Sequence, residues 1–101
     1  MVKLIKVVKS EKKKKKWKAI FKLDNEKEKT THFGFNNPKD LKNDYTLHFD
    51  KERRERYRKR HEKDLKTNDP TRAGYLSFFL LWGDSTSLKK NISTYKKKFD
   101  L

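Results

Sequence analysis

Hydrophobic side chains are sparse along this chain, and one stretch concentrates them: Tyr75, Leu76, Phe78, Phe79, Leu80, Leu81 and Trp82, within Asp69–Gly83. Asp69 suits an N-cap, and Pro70 suits the first helical position, where its missing N–H would have had no partner. Gly83 can adopt the left-handed conformation that closes a helix. These signals predict a helix over about 70–82. Its apolar residues are too many for one stripe, so it is expected to be buried on most sides, Phe79 included, with the core assembled around it. A membrane span is the rival reading, but crossing a bilayer takes roughly 20 apolar residues, and Arg72 lies just past the cap.

The segments before this helix read as strands. Leu4, Ile5, Val7 and Val8 place one over about 2–9, β-branched but without clean alternation. Over 16–24, Trp17, Ala19, Phe21 and Leu23 alternate with polar residues, Ile20 being the exception. Asp24-Asn25-Glu26-Lys27 supplies a turn. The returning strand, 28–35, carries Thr31, Phe33 and Phe35 on one face, and a register pairing Phe21 with Thr31 and Ala19 with Phe33 puts both apolar sets on the same side. Residues 34–43 form a loop. Asp50 then caps a charged helix over about 51–64, whose inner stripe is Tyr57, His61 and Leu65. A last helix over about 86–98 has Leu88, Ile92, Tyr95 and Phe99 on one face. Strands first and helices afterwards make the fold class α+β: a three-stranded antiparallel sheet followed by three helices packed on one face, in a single compact basic domain over 1–101.

Charge sharpens the picture. Lys and Arg total 29 against 14 acids, a net charge of +15, which repels itself in the folded chain and is best tolerated beside an anionic partner. With 32% hydrophobic and 13% aromatic residues, the core is small and its buried area largely aromatic. There is no cysteine, so neither a disulfide framework nor a thiolate zinc site is available. No secretory signal is read at the N-terminus, which points to folding inside the cell.

The run Lys12, Lys13, Lys14, Lys15 and Lys16, with Lys18 close by, has the composition of a polyanion-binding patch and is expected as an exposed hairpin loop or the frayed strand ends beside it. Arg53, Arg56 and Arg60 on the charged helix extend that patch, although Glu52, Glu55 and Glu62 partner some of the helix's charges. Trp17, Phe21 and Phe33 are weighed as a stacking platform for bases and assigned instead to the core, the sheet having no other oily face. His32, Asp44, His48, Asp50, Tyr57 and His61 are the candidate chemical groups. Without a close ligand pair they read as a structural polar cluster tying loop and helix to sheet, so no catalytic residue, metal or cofactor is assigned.

Several spaced strings, His32-Phe33-Gly34, Asp44-Tyr45-Thr46-x-His48-x-Asp50, Arg53 to His61, Asp69 to Tyr75 and Leu81-Trp82-Gly83, resemble a small uncharacterised family of the nucleocytoplasmic large DNA viruses, over about residues 30–101. The resemblance implies a viral source and presence in the particle, and it brings no catalytic residues. The expected function is therefore a non-enzymatic basic viral protein: a virion structural component (minor capsid, cement or genome-associated) binding acidic virion proteins or nucleic acid. The alternative is a nucleic-acid-binding factor of the virus factory in the host cytoplasm, or of the host nucleus.

Overall fold

The computed structural model describes residues 2–101. Strands β1 (Lys3–Lys9), β2 (Lys15–Lys22) and β3 (Glu28–Phe35) form an antiparallel sheet in the order β1-β2-β3, and four helices follow. The missing alternation in β1 has a cause. A β-bulge at Ile5 lets Leu4 pair with Phe21 and Val7 with Ala19, so two residues three apart reach the same side of the sheet. Leu4, Ala19, Phe21 and Phe33 are buried there, while Ile5 stays 46% exposed.

The β2–β3 register differs from expectation by two residues: Ala19 pairs with Thr31, Trp17 with Phe33 and Phe21 with Lys29. The connection sets it. Leu23 N–H donates to Lys27 (2.8 Å) and Glu26 N–H to Leu23 (3.0 Å), with Glu26 at φ 66°, so the ladder closes on Lys22 opposite Glu28. Because the slip is even, both apolar sets keep the same face. Phe35 does not join the core, however, and is 59% exposed.

After the loop comes an unanticipated single turn, α1 (Tyr45–His48), capped by Asp44, whose carboxylate accepts from Thr46 N–H at 3.0 Å. Phe49, in the left-handed conformation, separates it from α2 (Lys51–His61), which runs on as a 3-10 turn over Glu62–Thr67.

The apolar run begins its helix later than its caps suggest. Asp69 closes a turn onto Thr71, accepting from that residue's N–H at 3.0 Å and hydroxyl at 2.6 Å, and α3 starts only at Ala73 (Ala73–Leu76). The helix then widens to π geometry over Ser77–Leu81, with Trp82 N–H donating to Ser77 carbonyl at 3.1 Å. Leu76, Leu80, Leu81 and Trp82 are buried, whereas Phe79 is only partly so. Gly83 does not take the left-handed conformation. It is needed for room, since a Cβ there would lie far inside van der Waals range of the Phe79 carbonyl oxygen and 3.0 Å from the Asn91 side chain.

Ser87 caps α4 (Leu88–Lys98), accepting from Lys90 N–H at 3.2 Å. Its face carries Tyr95, fully buried and donating to the Pro70 carbonyl at 2.6 Å, between the Phe79 and Phe99 rings. It also carries Asn91, absent from the predicted stripe. The buried Asn91 amide donates to the carbonyls of Leu80 (2.9 Å) and Ser85 (2.7 Å) and accepts from Ser85 N–H (3.1 Å), clamping the loop after the π turn. Across the other seam, the Thr31 hydroxyl donates to the Thr71 carbonyl at 2.7 Å, tying sheet to helical layer. Among the described residues no helix is long and apolar enough to cross a membrane.

Candidate functional site

The inner stripe of helix α2 is narrow, Tyr57 stacked with His61 and Leu65 packed on the core in the turn that follows, and the geometry explains how the helix docks with so little apolar surface. Asp50 accepts from Glu52 N–H (3.0 Å) and Arg53 N–H (3.1 Å), and these bonds, that to Arg53 foremost, hold its carboxyl below the usual range. Arg54 and Arg58 then face the protein. Arg58 Nε donates to the Trp82 carbonyl at 2.8 Å and its Nη2 to Asp84 at 3.0 Å, while the Arg54 guanidinium lies over the Tyr45 ring at 4.8 Å. The helix is thus held by guanidinium groups on the carbonyls that end the π turn, and by one aromatic residue, Tyr57, stacked on Trp82 at 4.1 Å and 4°.

Holding α2 by that side leaves another free. Arg53, Arg56, Lys59 and Arg60 border a hollow of about 550 Å³. Arg53 is paired with Asp40 at 2.9 Å, but Arg56, Lys59 and Arg60 have no carboxylate partner among the described residues. Three exposed cations without an ion pair, of which Arg56 acts on the Asp50 carboxylate only at longer range, make a stripe of positive potential on neighbouring turns.

A cleft of about 650 Å³ adjoins the stripe, and Arg53 and Arg60 line both. The end of the sheet forms one wall, with Lys15, Gly34 and Phe35; the loop before α1 adds Asp40, Asn43 and Asp44. Its back is a ring stack in which Tyr57 lies between Trp82 and His61, the latter at 4.2 Å and 25°. Burial pushes the Tyr57 phenol up to about 12. His61 Nδ1 lies 3.1 Å from Asp64. Lys16 Nζ meets Asp44 at 2.5 Å, their side chains 13% and 4% exposed.

The lysine run divides accordingly. Lys12, Lys13, Lys14 and Lys15 are exposed, and Asn36 fastens their loop with bonds to the Lys14 and Lys13 carbonyls at 3.0 and 3.1 Å. Lys16 is not the solvated cation expected, because it neutralises buried Asp44. Lys18 is engaged by Glu11 at 2.9 Å, and that bond holds the Glu11 carboxyl below its usual range. Between this loop and α1 lies a further hollow of about 520 Å³, bordered by Lys12, Lys13, Trp17 and Leu47.

The predicted polar cluster is brought together only in part. Asp44, Tyr57 and His61 line the cleft. His48 packs its ring against Trp82 at 5.1 Å, and its Nδ1 accepts from Asp50 N–H at 2.9 Å. Burial, ahead of the Arg53 charge, lowers the His48 pKa, and its Nε2 is enclosed without a partner among the described residues. His32 is elsewhere, bonded to Ser10 Oγ at 2.7 Å, and Asp50 serves α2 as its cap. Among the described residues no three His, Asp or Glu side chains are placed to hold a metal ion. Asn43 and Lys59 escape sequence reasoning, as does the exposure of Phe35; Asn43 sits in a loop with no periodicity, and Lys59 looks like one charge among many.

Residues 5–61 match a protein family described as "Family of unknown function (DUF5754)". The chain belongs to this family. The matched part of this DUF5754 chain takes in β1 from Ile5 onward, β2, β3, the loop and α2, and so most of the cleft and the cation stripe, and it stops short of α3. The resemblance read from sequence spans about 30–101 and treats the sheet as the less distinctive part, whereas the family match includes it. No curated protein and no solved structure matches the DUF5754 chain.

Proposed function

We propose that this chain is a non-enzymatic basic protein of a nucleocytoplasmic large DNA virus that binds polyanions, with nucleic-acid phosphates as ligand, and that it serves as a genome-associated component of the virion. The carrying observation is the division of α2: Arg54 and Arg58 are consumed in holding the helix, while Arg56, Lys59 and Arg60 are exposed and form no ion pair among the described residues. Exposed Lys12 to Lys15 supply a second set of cations, on a loop pinned by Asn36. Such cations gain affinity by releasing counterions from a phosphate backbone, without reading sequence. The side chains that could have supplied acid–base chemistry are engaged in caps, stacks and ion pairs, which supports a non-enzymatic role.

A second reading, a minor capsid or cement protein gripping acidic virion proteins, draws support from Arg53, whose fork already binds the Asp40 carboxylate. Salt dependence of duplex binding separates the two readings. Duplex affinity should fall linearly on a log–log plot against salt, and replacing Arg56, Lys59 and Arg60 with Gln should reduce the slope by up to about 2.7, at about 0.9 for each phosphate no longer neutralised. A slope indifferent to the triple replacement removes the stripe from the interface. Mass spectrometry of purified particles tests the virion assignment, which fails if the protein is confined to infected-cell extracts.

A further inference from the structure

Phe35 carries an inference beyond the choice of polyanion. It is two residues from the fully buried Phe33, yet 59% exposed, and its ring stacks on no other ring among the described residues. Gly34 marks the boundary: φ is +81°, and a Cβ there would come within 2.7 Å of the Leu81 side chain, so the backbone is pressed against the helical layer and then emerges from it. Beyond that point Phe35 enters the wall of the 650 Å³ cleft, near Lys15, which pairs with it across the sheet.

We infer that this cleft receives one unpaired base, stacked on Phe35, and that the protein therefore prefers single-stranded nucleic acid to duplex; the inference rests on the phosphate-binding reading above. Three features carry it. The volume lies within the range of sites that enclose a small organic ligand. Arg60 borders both the cation stripe and the cleft, so a backbone whose phosphates follow α2 is led to the cleft mouth. The site also has what a base requires, an uncovered aromatic ring, and Asn43 on the loop wall fastens the backbone that carries it, its Nδ2 donating to the Phe35 carbonyl at 3.0 Å. Exposed aromatic rings beside cations are how single-strand binders hold successive bases, and duplex bases, already paired and stacked, cannot enter.

Fluorescence anisotropy with a labelled oligothymidylate and a duplex of equal length tests this. The native protein should bind the single strand more tightly. Phe35→Ala should weaken single-strand binding by about 5- to 100-fold and leave duplex binding unchanged, and Phe35→Trp should restore it. If Phe35→Ala loses its native circular dichroism, Phe35→Leu keeps the apolar bulk without the π face and should show the same selective loss. Equal affinity for both forms, or equal weakening of both by Phe35→Ala and Phe35→Leu, overturns the single-strand inference. If Arg56→Gln with Lys59→Gln still flattens the salt slope in that case, the phosphate reading survives it. Binding to neither form, or binding insensitive to salt, overturns both.

Discussion

The Lys16–Asp44 pair lies in the cleft wall, and its worth can be worked from its burial. Asp44 does two jobs: it caps α1 through Thr46 N–H and hydroxyl, and it neutralises Lys16 at 2.5 Å. With side chains only 13% and 4% exposed, neither charge can fall back on bulk water if its partner is removed. Asp44→Ala removes cap and countercharge together and should cost about 3–5 kcal/mol, a large share of the roughly 5–15 kcal/mol that holds a domain of this kind. Asp44→Asn keeps a good cap, so its cost isolates the stranded lysine. Lys16→Met should cost less, because the remaining carboxylate still accepts the two Thr46 bonds. The double replacement Lys16→Met/Asp44→Asn strands no charge and should be milder than the sum of the singles, with a coupling of about 1–3 kcal/mol. Urea unfolding followed by circular dichroism measures all four proteins. Additive singles, each near the 0–1 kcal/mol of an exposed pair, would refute the reasoning.

Two further outcomes follow from burial. Leu80→Ala, at a fully buried position, should cost about 2–5 kcal/mol, and Phe79→Ala should cost less than the roughly 3–5 kcal/mol of a fully enclosed ring because Phe79 is partly exposed; unfolding measurements giving Phe79→Ala that full cost would contradict its partial burial. Tyr57 is raised to about 12, chiefly by burial, so the folded state favours the neutral phenol: its contribution is fully present below the ordinary tyrosine value of about 10 and is lost as pH rises from there towards about 12. Following phenolate absorbance, Tyr57→Phe should remove a late-titrating group, and a folded protein whose tyrosines all ionise together in the ordinary range would count against the stack.

What the sequence discloses, and what it hides, follows from which forces act locally. Alternation in β2 and the spacing of Leu88, Ile92, Tyr95 and Phe99 are direct records of one buried face, and both elements stand close to where those patterns put them. Periodicity fails where a single residue breaks the count. The bulge at Ile5 hides the inner face of β1, and the π turn over Ser77–Leu81 buries Leu80, Leu81 and Trp82 in succession, which no regular helix stripe describes. Gly83 is special for a reason other than the local one: what matters there is the nearness of the Phe79 carbonyl and Asn91, residues four before it and eight after it, and not its own backbone angle. The site is hidden more deeply. Its residue types are plain, but which cations are free depends on partners far along the chain, Asp44 for Lys16 and the Trp82 carbonyl for Arg58. A helix whose inner stripe is only Tyr57, His61 and Leu65 tells periodicity which side faces in, but not which of its cations are engaged. Yet that narrowness is what creates the candidate interface: because α2 is fastened by Arg54, Arg58 and the Tyr57 ring, its remaining basic side chains are not needed for packing, and in a chain of net charge +15 they have few acids left to meet. Part of the free charge therefore lies beside the cleft, where Phe35 is an aromatic ring that the core leaves uncovered.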